Sequence, residues 1–345
     1  MSDILETIEN VRKNRSSLLN LSGKGLAKIP IEVFELDFVT NLNLRNNNIS
    51  EIPEEISKLK NLKVAYFDSN EISFISDKFY TLNQLTVLNL NYNKLTELPN
   101  GIGHLVNLKK LLVSNNNLNS IAQSIGELSE LEIFDLSNNI LSNLPKEIGE
   151  LTNLTRLYLS KNKLSNFDID CRKLRKLEWL MLKSNQLSEV SQTIGKLKSL
   201  IRLDLADNEL SKTPSNLNKL DKLKELNLSE NSISYLELEV RKMKNLNELK
   251  VFLNSNIKIK EKLISRLIKR KSWSESQFKL IIDNNQAQNL IKFKDNFKSG
   301  GIGVIDFENK KIPIGHYKQI GPDIVQKYEL KDPMRERLRE RVQEK

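Results

Sequence analysis

The sequence predicts an α/β solenoid. In it, short coils stack into a curved horseshoe with a concave parallel sheet, short convex helices and an irregular C-terminal extension. Three observations predict it. Ten asparagines stand 23 residues apart without a gap: Asn47, Asn70, Asn93, Asn116, Asn139, Asn162, Asn185, Asn208, Asn231 and Asn254. Leucines two residues apart precede them, as in Leu88-Asn89-Leu90 before Asn93. An Ile-Gly-x-Leu phrase returns behind them from Ile102, Ile125, Ile148 and Ile194. A fixed period of this length marks units that bury their apolar faces only by stacking on one another.

Residues 1–17 read as a helical cap. Asp3-Ile4-Leu5-Glu6 has the order of a capping box, and Ile4, Leu5, Ile8 and Val11 follow at helical spacing over residues 3–14. Residues 18–254 are the repeats. The first is atypical: Leu19-Asn20-Leu21-Ser22-Gly23-Lys24 keeps the leucines but puts Lys24 where the others have asparagine. In each later coil the paired leucines face one side of a short strand and the residue between them faces the other. The asparagine then turns inward where the chain bends, and its side chain can both donate and accept a hydrogen bond. Neighbouring asparagines should form a ladder along the stack.

The returning arms predict short convex helical turns with Ile and Leu inward and charges outward. Pro30, Pro53, Pro99, Pro145 and Pro214 open several of them, where proline fixes φ at no expected cost in N–H bonds. Residues 255–271 predict a C-terminal capping helix. Its Ile259, Leu263, Ile264, Leu267 and Ile268 lie at helical spacing, with a basic face of Lys260, Lys262, Arg266, Lys269 and Arg270. Residues 272–345 lose the period. Residues 278–282 and 303–307 read as short strands, 300–303 and 311–315 as loops, and Asp332-Pro333 as the N-cap and N1 of a terminal helix.

Charge divides the chain. Residues 255–345 hold 21 Lys/Arg against 12 Asp/Glu, a net +9 of the total +10. Attraction to acidic partners, such as an acidic filament or an RNA-containing assembly, is expected mainly through this extension. No window approaches the ~18 apolar residues of a membrane helix, so no membrane insertion is expected. One cysteine, Cys171, excludes an internal disulfide framework and reads as a packing residue. With no secretory pattern at the start, a cytoplasmic protein is expected, with cilium or cytoskeleton as alternatives.

Four residues per coil face out of the sheet, six, four, two and one positions before each asparagine. Aligned in columns, they gather Lys110, Leu112, Ile133, Arg156, Tyr158, Lys161, Trp179, Met181, Lys183 and Arg202 near the middle of the concave wall. Aromatics clustered with Arg are the composition of interface centres. Acids including Asp68, Asp135, Asp204, Asp207, Glu225 and Glu230 interrupt any continuous phosphate track. Asp204 and Asp207 are expected to balance Lys183 and Arg202.

Catalysis is not indicated. His104 and His316 lack a nucleophile motif, and no cluster has metal-ligand spacing. The glycines form no nucleotide fingerprint, so no cofactor is expected. The phrase Leu-Pro-x-x-Ile-Gly-x-Leu, at Leu98–Leu105 and Leu144–Leu151, together with Leu-x-Leu-x-x-Asn-x-Leu, resembles the leucine-rich repeat. Within that family it is similar to intracellular proteins of the Ras-suppressor and Ras-scaffold type and the plant Ras-group repeat proteins. The likeness covers residues 18–254. It implies a non-catalytic scaffold whose concave face binds proteins, among them a small GTPase or a phosphatase subunit. The alternative is a structural subunit of a large ciliary, cytoskeletal or ribonucleoprotein assembly, anchored by the basic extension.

Overall fold

Each coil gives three residues to one sheet, the middle one buried and the outer two facing the concave side. The computed structural model describes residues 2–236, 243–251, 254, 279–283, 302–306 and 317–319. Eleven strands pair in parallel and in chain order: β1 Leu18–Asn20, β2 Asn41–Asn43, β3 Val64–Tyr66, β4 Val87–Asn89, β5 Lys110–Leu112, β6 Ile133–Asp135, β7 Arg156–Tyr158, β8 Trp179–Met181, β9 Arg202–Asp204, β10 Glu225–Asn227 and β11 Glu248–Lys250. The register steps by one repeat throughout: Leu19 lies opposite Leu42, Phe134 opposite Leu157 and Leu180 opposite Leu203. These central residues are almost completely removed from water. Fully burying each such side chain favours folding by about 1.5–3 kcal/mol.

The asparagines tie coil to coil. Every side-chain amide donates to the carbonyl 26 residues earlier, at 2.9–3.1 Å. Every side-chain oxygen accepts the N–H 21 residues earlier, also at 2.9–3.1 Å. The expected ladder is therefore not asparagine to asparagine. Each side chain bonds the backbone of its own coil and of the coil before it. The residue preceding nine of these asparagines is left-handed, from Asn46 at φ 53 to Ser69 at φ 59, and this turn swings the asparagine inward.

On the convex side most arms form one 3-10 turn, for example Asn100–His104 and Lys146–Glu150. The glycine of the Ile-Gly phrase is dictated by close approach. A Cβ on Gly149 would lie 2.8 Å from the carbonyl oxygen of Asp170 in the next coil. The coil between Asn162 and Asn185 has Arg172 at that position. It makes a plain turn, with Arg172 hydrogen-bonded to Asp170.

The prolines differ from expectation. Pro30, Pro53, Pro99 and Pro145 occupy the N-cap of their turns, with φ between −57 and −78. Pro214 stands three residues before its turn, Leu217–Lys219. They do forfeit an N–H that other coils use. At the equivalent position Ser76, Ala122 and Ser191 donate to Ile52, Leu98 and Phe167 of the preceding coil, at 3.0, 2.8 and 2.6 Å. Accordingly Glu51–Ile52 pairs with Phe74–Ile75, Glu97–Leu98 with Ser120–Ile121, and Asn166–Phe167 with Glu189–Val190. Pro53, Pro99, Pro145 and Pro214 cannot donate this bond. The side of the stack is stitched in separate pairs while the concave sheet is continuous.

Helix α1, Ser2–Asn14, covers the first coil. Ile8 is buried, and Ile4 and Val11 pack beside it, whereas Leu5 is exposed because it points away from that face. Asp3 is not the N-cap. It lies in the first turn and pairs with Lys24, whose hydrogen bond and charge hold its carboxyl below the ordinary range. The residue that replaces the first asparagine thus fastens the cap, while its backbone N–H still reaches the Asn47 oxygen at 3.0 Å. Arg12 adds a bond to Glu35, and Arg15 lies over Phe38.

Beyond the repeats, β12 Lys279–Asp283 adds to β11 in parallel, and β13 Ile302–Asp306 and β14 Tyr317–Gln319 follow antiparallel. The first two lie within a residue of the sequence expectation. The third, in a stretch without apolar alternation, was not expected. The helices expected over 255–271 and after Asp332 lie outside the described residues, as do His316, residues 300–301 and the loop at 311–315, whereas Ile302 and Gly303, expected in the loop at 300–303, open β13 instead.

Candidate protein-binding wall

The fixed register converts sequence spacing into neighbours on the concave wall. Residues six positions before successive asparagines align as Lys110, Ile133, Arg156, Trp179 and Arg202 across β5 to β9. The next column aligns Leu112, Asp135, Tyr158, Met181 and Asp204. All ten expected residues lie on this one surface. Lys110 and Lys161 are exposed; Leu112, Ile133, Arg156, Tyr158, Trp179, Met181, Lys183 and Arg202 are half-buried. Lys161 is the left-handed residue before Asn162, at φ 57, which sets it at the rim of the strand.

Trp179 is the centre. Arg156 on one neighbouring strand places its guanidinium 4.5 Å from the indole ring, and Arg202 on the other neighbouring strand places its own at 4.7 Å. Tyr158 meets the indole edge to face, with ring centroids 6.4 Å apart at 84°. Cation–π contacts of this kind contribute about 0.5–1 kcal/mol when exposed and ~2 when desolvated. These contacts hold the ring and both guanidinium groups in one arrangement.

The acids of the wall are engaged by groups within it. Burial pushes the Asp135 carboxyl up, against hydrogen bonds from Ser137 and Ser114. The Ser137 N–H donates to it at 3.0 Å. Burial also raises Asp204, opposed by the Ala206 N–H at 3.0 Å and by the charges of Lys183 and Lys250. Arg202 pairs not with Asp204 but with Glu225, at 2.9 Å. The expected balancing of Asp204 by Arg202 is therefore corrected, while Lys183 keeps that role. Asp68 is buried, accepting from Asn89 at 3.0 Å and lying 3.4 Å from Arg45. Burial raises the Tyr158 phenol, and Arg156 draws it back down.

The N-terminal part of the wall carries aromatic residues outside the expected cluster. Tyr66 and Tyr92 are exposed there, beside Val64 and Val87. The column alignment already placed Tyr66 and Tyr92 four and one positions before their asparagines, and that was the available signal. On the convex side His104 is exposed. Cys171 is fully buried, its thiol pushed up to about 12 by that burial. Among the described residues no three His, Cys, Asp or Glu come together in a form that could hold a metal ion. No helix among them is long and apolar enough to cross a membrane.

The leucine rich repeat family profile matches residues 37–95, 66–118, 106–164, 152–210 and 175–233, which together exceed half the chain. The chain belongs to the leucine-rich repeat family. A leucine-rich repeat protein of Leptospira interrogans is 30% identical, over 75% of this chain and 78% of that one, with a TM-score of 0.62. The plant peptide hormone receptor RGFR1, solved in complex with RGF2, is 33% identical over 67% of this chain and 38% of its own, with a TM-score of 0.60. The TLR13–ssRNA13 complex gives 25% identity over 64% of this chain and 33% of that one, with a TM-score of 0.57. The Schizosaccharomyces pombe CCR4-Not exoribonuclease subunit Ccr4 is 41% identical over 46 residues, 13% of this chain and 7% of that protein. This short match falls far below two thirds of Ccr4's length and carries nothing of its activity. Leucine-rich repeats of this kind are recognition folds, and the wall fits that general role.

Proposed function

We propose that this leucine-rich repeat protein is a non-catalytic adaptor that holds a protein partner on its concave wall. The observation that carries the reading is the clamped Trp179, stacked between Arg156 and Arg202 and edged by Tyr158 on an otherwise solvated sheet face. A wall with no partner gains little from a half-exposed tryptophan, whereas interface centres are enriched in Trp, Tyr and Arg. The repeat phrase extends the proposal to the Ras-suppressor type of cytoplasmic scaffold, with a small GTPase or a phosphatase subunit as the partner class.

A second reading draws on the net +9 of residues 255–345. Here the extension anchors the protein to an acidic filament or an RNA-containing assembly, ciliary or cytoskeletal. Two variants separate the readings in pull-downs from native extract: Trp179→Ala, and a chain lacking residues 272–345. Loss of the co-purifying protein only with Trp179→Ala supports the adaptor. Loss only on truncation supports the anchor and removes the case for the wall.

A further inference from the structure

The wall also carries information about the shape and charge of what it holds. Lys110 and Arg156 stand in one column, separated by the single strand of Ile133. Neither has an acidic partner within ion-pair reach among the described residues, and Lys161 is likewise unpaired. The nearby carboxyls form no ion pair with them: Asp135 and Asp204 are instead aimed at backbone amides of their own coils. Further along the stack the charges are paired, Lys250 with Glu248 at 3.1 Å. Arg202 is already neutralised by Glu225, and Glu248 follows in the same column. Anionic affinity is thus confined to the coils of Lys110 to Lys161.

Spacing narrows the occupant. Cations two parallel strands apart are about 9.6 Å apart at the sheet, and less for a ligand inside the curve. Three residues of polyproline II helix advance about 9.3 Å. Alternate residues of a β-strand advance only about 6.6–6.8 Å, and two turns of α-helix about 10.8 Å. Chemistry narrows it again. Bases of single-stranded nucleic acid stack on open aromatic faces. Both sides of Trp179 are taken by guanidinium groups, so the indole offers an edge and no platform.

We infer that the partner of the wall is an extended, acidic and apolar protein segment. It carries two carboxylates three residues apart on Lys110 and Arg156, with apolar side chains on Ile133 and the Trp179 edge. This rests on the adaptor reading above and adds the partner's conformation and charge pattern.

The test uses the full chain with Trp273→Phe, which leaves Trp179 as the single tryptophan, excited selectively at the red edge where tyrosine does not absorb. The probes are short blocked peptides of one composition, rich in proline and leucine, with two glutamates two, three or four residues apart. The three-residue spacing should bind at least about tenfold more tightly than the others and weaken with salt. Lys110→Glu should abolish that preference, and a peptide with lysine replacing the matching glutamate should restore binding to this variant. Equal affinity for all spacings, no binding by any peptide, or indifference to Lys110→Glu would overturn the inference. So would an oligouridylate that competes with the peptide and perturbs Trp179 equally. If the pull-down yields a Trp179-dependent protein while the peptides fail, the adaptor reading stands and this inference falls.

Discussion

Replacing Asn162 with alanine should cost much more stability than its polar character suggests. Asn162 accepts the Leu141 N–H at 3.1 Å and donates to the carbonyls of Leu136 and Leu159, each at 3.0 Å. The carbonyls survive the change with a partner, since Leu136 also accepts from Asn139 and Leu159 from Asn185, both at 3.0 Å. The Leu141 N–H does not, because no other acceptor reaches it. A buried orphan donor costs about 1–3 kcal/mol, and the two weakened carbonyl bonds add about 1 kcal/mol more. The expected loss is therefore about 2–4 kcal/mol. Urea unfolding followed by circular dichroism measures it, and hydrogen exchange at Leu141 localises it. Repeat arrays can unfold in parts, so the exchange data carry the local claim. Asn117→Ala is the control. Asn117 is exposed and engages the neighbouring coil through its backbone, so it should change stability by no more than about 0.5 kcal/mol. Equal effects of Asn162→Ala and Asn117→Ala would refute the bridging role of the asparagines.

Gly149→Ala should destabilise by about 1–3 kcal/mol, because its Cβ meets the Asp170 carbonyl; a lowered melting temperature checks this. Cys171 should resist alkylation in the native protein and react fully in denaturant, with mass spectrometry as the readout. Burial lifts its thiol pKa from the ordinary 9.0 to about 12. The stabilising contribution of its neutral form is fully present below pH 9.0 and drains away as pH rises toward about 12, by on the order of 4 kcal/mol. Burial also raises Tyr80, which acts in the same direction. Cys171→Ala should flatten the alkaline decline in denaturation midpoints. Trp179→Ala should weaken partner binding by at least about 2 kcal/mol while leaving far-UV circular dichroism unchanged.

The fold was legible because a single period controls it. Once Asn47 to Asn254 share a register, strand positions, buried leucines and outward columns follow by counting. The site was legible only as columns. Sequence spacing put Arg156, Trp179 and Arg202 side by side, but the stacking of both guanidiniums on the indole is a matter of side-chain rotamers, which spacing does not encode. The same limit explains Arg202, whose alternatives Asp204 and Glu225 are both close in the register. Proline was misjudged for a different reason. Its missing N–H matters only to the neighbouring coil, as Ser76, Ala122 and Ser191 reveal, and a coil read alone does not show that bond. Gly149 likewise answers to Asp170 in the next coil.

The most direct measurement is site-specific photocrosslinking in native extract. One photoreactive residue replaces Met181 on the concave wall, and another replaces Val106, which is exposed away from it. A binding wall predicts a discrete protein adduct from position 181 and none from 106. Adducts from 106 alone, or identical adducts from both, would contradict it.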